Sequence, residues 1–133
     1  MEYIMVSAET AQLGNVLAFI AECAERAGMG MKAQSECALA AEEIFVNIAN
    51  YAYEPDAGNV AVRIDACAEG LVVEFADSGR RYDPLGKEDP DITLTAADRV
   101  PGGLGIYMVK QLMDEVSYEY RDGQNVFTMR KAI

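Results

Sequence analysis

Two pairs of short runs with a two-residue period, each pair closed by a tight turn, restrict what this chain can fold into. Asn59-Val-Ala-Val-Arg-Ile-Asp-Ala66 and Leu71-Val-Val-Glu-Phe-Ala76 flank Glu69-Gly70. Val116-Ser-Tyr-Glu-Tyr120 and Asn125-Val-Phe-Thr-Met-Arg130 flank Asp122-Gly123. Val60, Val62 and Ile64 alternate with other residues, the period of a strand, and Asp-Gly between two such runs is a strong hairpin signal. Strands joined by so few residues pair antiparallel, because a parallel return needs a crossover of a dozen or more. A further short strand is expected at residues 2–6.

Three stretches carry the helical period instead. From about Glu9 to Ala27, the residues Leu13, Val16, Leu17, Ile20 and Cys23/Ala24 recur at helical spacing; Ser7 and Thr10 are the candidate N-caps, and Gly28 and Gly30 supply the stop. A second helix is expected from about Met31 to Tyr53, ahead of the turn cluster Glu54-Pro-Asp-Ala-Gly58, and a third from Leu104 to Met113. Residues 77–102 hold three prolines, several acids and little apolar periodicity, and read as a long loop. A loop of that length in a compact domain is usually functional, often a lid. The order β-α-α-β-β-lid-α-β-β implies an α/β (α+β) two-layer sandwich, with a mixed, mostly antiparallel sheet and helices on one face. At 133 residues, one domain over 1–133 is expected.

Composition narrows the function. The chain has 22 acids against 11 bases, a net charge of −11, which repels nucleic acid phosphates and anionic membrane and would suit a basic protein partner. No apolar run approaches the roughly 20 residues that span a bilayer. The start Met-Glu-Tyr-Ile-Met-Val lacks the basic region and cleavage site of a signal peptide, so a cytoplasmic location is expected. Cysteines at 23, 37 and 67 form no C-x-x-C pair and read as small buried hydrophobes. There is no histidine at all. That removes His-based general bases, Ser-His-Asp and Cys-His pairs, and leaves carboxylates, amides, backbone N–H groups and a cofactor or metal to do chemistry.

Three constellations fit that restriction. On the second helix, Glu43, Asn47 and Asn50 fall within an arc of about 60° at 100° per residue, with Glu36 and Glu54 along the same stripe. Cys37, Ala41, Ile44, Ile48 and Ala52 form one apolar flank, and Leu39 and Val46 lie on the other side. A carboxylate and an amide one turn apart suit a hard cation such as Mg²⁺, although a polar stripe is equally the ordinary wet side of a helix. At the exit of a strand, Asp77-Ser-Gly79 puts an acid where it can accept from a ligand amine, beside a glycine that permits close approach; a plain turn has the same composition. Pro101-Gly-Gly-Leu-Gly105 runs straight into a helix, where free N–H groups can cradle phosphate. It matches neither a P-loop nor a dinucleotide fingerprint.

Taken in order, Glu43-Ile-Phe-Val-Asn47 followed by Tyr51-Ala-Tyr53, then Asp77-Ser-Gly-Arg-Arg-Tyr-Asp83-Pro84, then Gly102-Gly-Leu-Gly-Ile-Tyr-Met-Val-Lys, resemble the Bergerat-fold (GHKL) ATPases. Among these the chain is similar to the small anti-sigma factor serine kinases of bacterial partner-switching systems. The resemblance implies ATP and Mg²⁺ as cofactors, Glu43 as general base, and Asn47 as Mg²⁺ ligand. It implies Asp77 as reader of the adenine amino group, Gly79 as the residue that lets the base sit close, and Gly103, Leu104 and Gly105 as phosphate binders. Arg99 would sense the γ-phosphate from a lid at about 85–101, Thr128 would line the adenine pocket, and Asn50 would face the nucleotide. Where the family often has His four residues after the Mg²⁺ ligand, this chain has Tyr51. The implied activity is ATP-dependent phosphorylation of a serine on a STAS-type anti-anti-sigma protein. Binding of a sigma factor and homodimerisation, through the sheet edge holding residues 2–6, are also implied. The alternative is a catalytically weak or inactive nucleotide-dependent module that sequesters a regulatory partner.

Overall fold

The computed structural model describes residues 1–53, 56–68, 70–86 and 104–133. In chain order the elements are β1 (Glu2–Ser7), α1 (Leu13–Arg26), α2 (Met31–Tyr51), β2 (Asn59–Cys67), β3 (Gly70–Asp77), α3 (Leu104–Leu112), β4 (Glu115–Arg121) and β5 (Gln124–Lys131). The five strands form one sheet in the order β1-β2-β3-β5-β4, and all four described pairings are antiparallel. Both expected hairpins are present. Asp122 and Gly123 both take positive φ, 54° and 77°, the two-residue turn whose twist matches the strands it joins.

Alternation decides which side of the sheet is covered. Val60, Val62, Leu71, Val73, Phe75 and Met129 point to the helical layer and are buried against Val16, Ile20, Ile44, Phe45 and Val109. The opposite face has no described helix. There Ala61, Ala76 and Val126 form a small buried row across β2, β3 and β5. Longer neighbours stand over it, among them Arg63 and Glu74, ion-paired at 2.7 Å.

Local chemistry explains the helix ends. α1 stops in a Schellman motif: the Gly28 N–H donates to Glu25 O at 3.1 Å and the Met29 N–H to Ala24 O at 3.0 Å. Gly28 has φ +81°, a conformation open to glycine and costly for other residues. Neither candidate N-cap acts as one. α1 begins at Leu13, after a 3-10 turn over Thr10–Gln12, with no side-chain cap on either element. Ser7 belongs to β1, and its hydroxyl donates to Glu9 Oε2 at 2.8 Å. α2 carries no charged residue in its first turn that would favour its dipole; its stability comes from packing, with Cys37, Ala40, Ala41, Ile44 and Phe45 all buried.

Two expectations are corrected here. Cys23 and Cys37 are buried, but Cys67 is exposed, because strand alternation puts it with Ala61, Arg63 and Asp65 on the face of β2 that no described helix covers. Burial pushes the Cys37 thiol up to about 11 and also raises Cys23, the latter reinforced by the Glu2 carboxylate. Glu36 does not join the polar stripe of α2. It accepts from Lys131 Nζ at 3.1 Å, and the same ammonium donates to Leu112 O at 2.6 Å, tying the end of α3 to α2. Glu54 and the loop beyond Gly86 lie outside the described residues, as do Arg99, Gly102 and Gly103. No described helix is long and apolar enough to cross a membrane.

Candidate functional site

A cavity of about 780 Å³ opens between the C-terminal half of α2, the start of α3 and the adjoining ends of β3 and β5. That volume is in the range that small-molecule sites occupy. Glu43, Asn47 and Tyr51 form one wall, Gly105 and Ile106 a second, and Asp77 and Asn125 the polar end of the sheet. The structure therefore brings Glu43, Asn47, Asp77 and Gly105 to a single cavity.

The α2 wall works by helical geometry. Asn47 Nδ2 donates to Glu43 Oε1 at 3.3 Å across one turn. This leaves Asn47 Oδ1 without a partner among the described residues. Across the cavity edge, α3 comes so close that a Cβ at Gly105 would overlap the Glu43 carboxylate. Only glycine lets the first turn of α3 and this carboxylate occupy adjoining space.

At the sheet end, Asp77 is 4% exposed, and burial pushes its carboxyl above the ordinary range. Two hydrogen bonds oppose that shift, both to Oδ1: Asn125 Nδ2 at 3.0 Å and the Gly79 N–H at 3.0 Å. Asp77 Oδ2 has no partner among the described residues, and Asp77 lines the cavity. No fully buried side-chain oxygen or nitrogen lacks a partner among the described residues, so Oδ2 is reached from the cavity, where a carboxylate oxygen can accept from a donor placed there. Tyr118 completes the corner, its hydroxyl donating to Asn125 Oδ1 at 2.6 Å; burial raises its pKa.

Of the other six expected site residues, three are placed differently and three lie wholly or by their side chain outside the described residues. Asn50 is exposed and does not line the cavity. The cavity-facing arc of α2 runs from Glu43 through Ile44 to Ile48, and Asn50 sits on the solvent side of Glu43 rather than within it. Gly79 faces the end of α2: a Cβ there would overlap Ala52 O, and Arg80 N donates to that same carbonyl at 2.8 Å. Its glycine serves the approach of loop to helix, and it borders a separate shallow cleft. Thr128 points to the helix-free face, opposite Glu74 and Ser117, because it alternates with the buried Phe127 and Met129. Leu104 opens α3, but its side chain lies outside the described residues, as do Arg99 and Gly103.

Asn125 and Tyr118 are the residues that the reading of the sequence passed over. Their signal was an amide sharing the core-facing side of β5 with Phe127 and Met129, where a polar side chain needs a reason. Tyr53, by contrast, is structural. Its hydroxyl accepts from Ser78 N and donates to Asn59 O, both at 2.7 Å, and its ring fills the space that a Cβ at Gly58 would need.

The residues fit a nucleotide with its metal on these observations. One end of the cavity offers a carboxylate oxygen that can accept from a donor, and α2 offers an amide oxygen of the kind that can ligate a hard cation. No three Asp, Glu, Cys or His side chains converge as metal ligands among the described residues. Magnesium that travels with phosphates requires only one or two protein oxygens, the remainder being phosphate and water.

Comparison with known proteins agrees with the fold. The family described as "Histidine kinase-like ATPase domain" matches residues 6–131. This chain belongs to the histidine kinase-like ATPase domain family. It is similar to the serine-protein kinase RsbW of Bacillus velezensis, 30% identical over 128 residues that cover 91% of this chain and 79% of that protein. RsbW of Bacillus subtilis is 29% identical over the same coverage. The serine/threonine-protein kinase BtrW of Bordetella bronchiseptica is 29% identical over 92 residues, 68% of this chain and 65% of the relative, just under two thirds of its length.

Proposed function

We propose that the chain is an ATP- and Mg²⁺-dependent protein serine kinase that also acts as an anti-sigma factor, its substrate a serine on a STAS-type antagonist. The observation that carries this reading is the convergence on one cavity of Asp77, with an oxygen open to a donor, and the Glu43–Asn47 pair beside Gly105. The relatives' names, serine-protein kinase and serine/threonine-protein kinase, support the reaction class.

In this reading Asp77 Oδ2 accepts from the adenine amino group, and the Asn47 amide oxygen is the protein's contribution to the magnesium shell. Magnesium-ATP, when bound, supplies the phosphoryl group and neutralises its charge. Glu43 takes the proton from the acceptor serine hydroxyl as that oxygen becomes the nucleophile. Asn47 holds Glu43 from one side, and the glycine at 105 leaves the carboxylate its space on the other. Gly103, Leu104 and Gly105 donate backbone N–H groups to phosphate, and Arg99, on the stretch 85–101 read as a lid, senses the γ-phosphate. One domain over 1–133 carries the whole site. The cellular setting is cytoplasmic, and the assembly is a homodimer through β1, an edge strand with exposed Tyr3 and Met5.

The test is transfer of labelled phosphate from ATP to a STAS-type protein, repeated with Glu43→Gln. Serine labelling that vanishes in the variant while ATP binding persists is expected. Binding without any transfer in the unaltered protein points instead to the sequestering module. No uptake of Mg-ATP in calorimetry at millimolar concentration overturns both.

A further inference from the structure

Asn125 is 6% exposed, and its amide is fully committed. Nδ2 donates to Asp77 Oδ1 at 3.0 Å and to Arg80 O at 2.7 Å. Oδ1 accepts from the Tyr82 N–H at 3.0 Å and from the Tyr118 hydroxyl at 2.6 Å. Two donors and two acceptors are all that an amide side chain has, so Asn125 has no polar capacity left for a ligand. The orientation is single-valued. Turning the amide over would set Oδ1 against the Asp77 carboxylate and the Arg80 carbonyl, and Nδ2 against the Tyr82 N–H. Asn125 and Asp77 are also register partners across β3 and β5, so the backbone holds the pair at fixed spacing.

The consequence falls on Asp77. With Oδ1 taken by Asn125 and Gly79, the carboxylate plane cannot rotate without breaking two bonds, and Oδ2 alone is available to the cavity. Resting on the nucleotide reading above, we infer that Asn125 is a positioning residue that sets base selectivity: by clamping Asp77 it presents one fixed acceptor, matched to a purine with a 6-amino donor. A 6-oxo purine would bring a carbonyl oxygen against that acceptor, and a purine with nothing at C6 would leave it unsatisfied. Asn125 thus acts through Asp77, without contacting the base.

The test is a cycle between the protein and the base. The full chain, Asn125→Ala and Tyr118→Phe are each titrated calorimetrically with Mg-ATP and with the Mg-bound triphosphate of purine riboside, which lacks only the 6-amino group. The unaltered chain is expected to favour ATP by about tenfold or more, the value of a hydrogen bond to a charged acceptor. In Asn125→Ala this preference should fall below roughly threefold, with purine riboside triphosphate binding nearly unchanged. Equal weakening of both nucleotides, or an unchanged preference, would overturn the inference. Should Asn125→Ala not fold, Tyr118→Phe removes one of the four restraints and is expected to lower the preference by roughly twofold or more; an unchanged preference there is equally fatal. An unaltered chain that binds both nucleotides alike would overturn the role of Asp77. One that binds neither removes the nucleotide site itself.

Discussion

Gly105→Ala separates the chemistry of this site from its stability. The three atoms nearest to a Cβ at 105 are all in one side chain, that of Glu43, with Cγ at 2.9 Å. No backbone atom is among them, so α3 can stay in place while Glu43 swings to another rotamer. That move costs about 0.5–1.5 kcal/mol, and loss of the half-buried bond to Asn47 costs about 1 more. Replacing glycine with alanine in a helix returns up to about 1 kcal/mol. The expected net loss is about 1 kcal/mol, a fall in melting temperature of roughly 3–6 °C for a domain of this size. The effect on phosphoryl transfer should be far larger, since a displaced general base costs about 10²–10⁴-fold. Thermal melting and labelled-ATP transfer on the same preparation give both numbers. A variant that transfers phosphate within about threefold of the original rate refutes the role of Glu43. A stability loss beyond about 3 kcal/mol refutes the claim that only a flexible side chain is in the way.

Three further substitutions test the geometry. Asp77→Asn should weaken ATP binding by about tenfold or more in calorimetry, through loss of the charged acceptor. The same variant tests the raised pKa: the stabilising contribution of Asp77 is complete below its ordinary value of 3.8 and is lost as pH rises through the higher folded-state value. Urea denaturation should therefore show Asp77→Asn gaining on the original protein between about pH 3 and pH 7, and a pH-independent difference would count against burial as the cause. Tyr53→Phe removes the hydroxyl joining Asn59 O and Ser78 N and should cost about 1–2 kcal/mol in urea; a neutral result means that water replaces it. Gly28→Ala meets no atom within 4 Å, so its cost comes from φ +81° alone and should be about 1 kcal/mol by the same measurement.

How much of this was readable beforehand depends on the range of the interaction. The hairpins came from local signals: alternation at Val60, Val62 and Ile64, and the paired positive φ that Asp122-Gly123 favours. The end of α1 came from Gly28. Glu43 and Asn47 share a face because four residues make one helical turn, which needs no knowledge of the rest of the chain. What failed was non-local. The family resemblance points Thr128 at the cavity, yet one step of strand alternation puts Phe127 there and Thr128 on the other side. Glu36 looked like part of a ligand stripe, but its partner Lys131 is 95 positions away. The partnership of Asn125 with Asp77 rests on a register that only the assembled sheet defines. The start of α1 is displaced because Ser7 and Thr10, which have capping chemistry, are taken up by the strand and the 3-10 turn.

The position of β5 between β3 and β4 sets a timetable for the growing chain. A ribosome delivers Asp77 48 positions before Asn125, an interval of roughly 2–10 s at ordinary elongation rates. Until then β3 has only β2 beside it, and the carboxylate stays hydrated at the margin of an unfinished sheet. The corner proposed to recognise the base thus comes into being only after β5 emerges, and nascent chains that lack β5 have no means of making it.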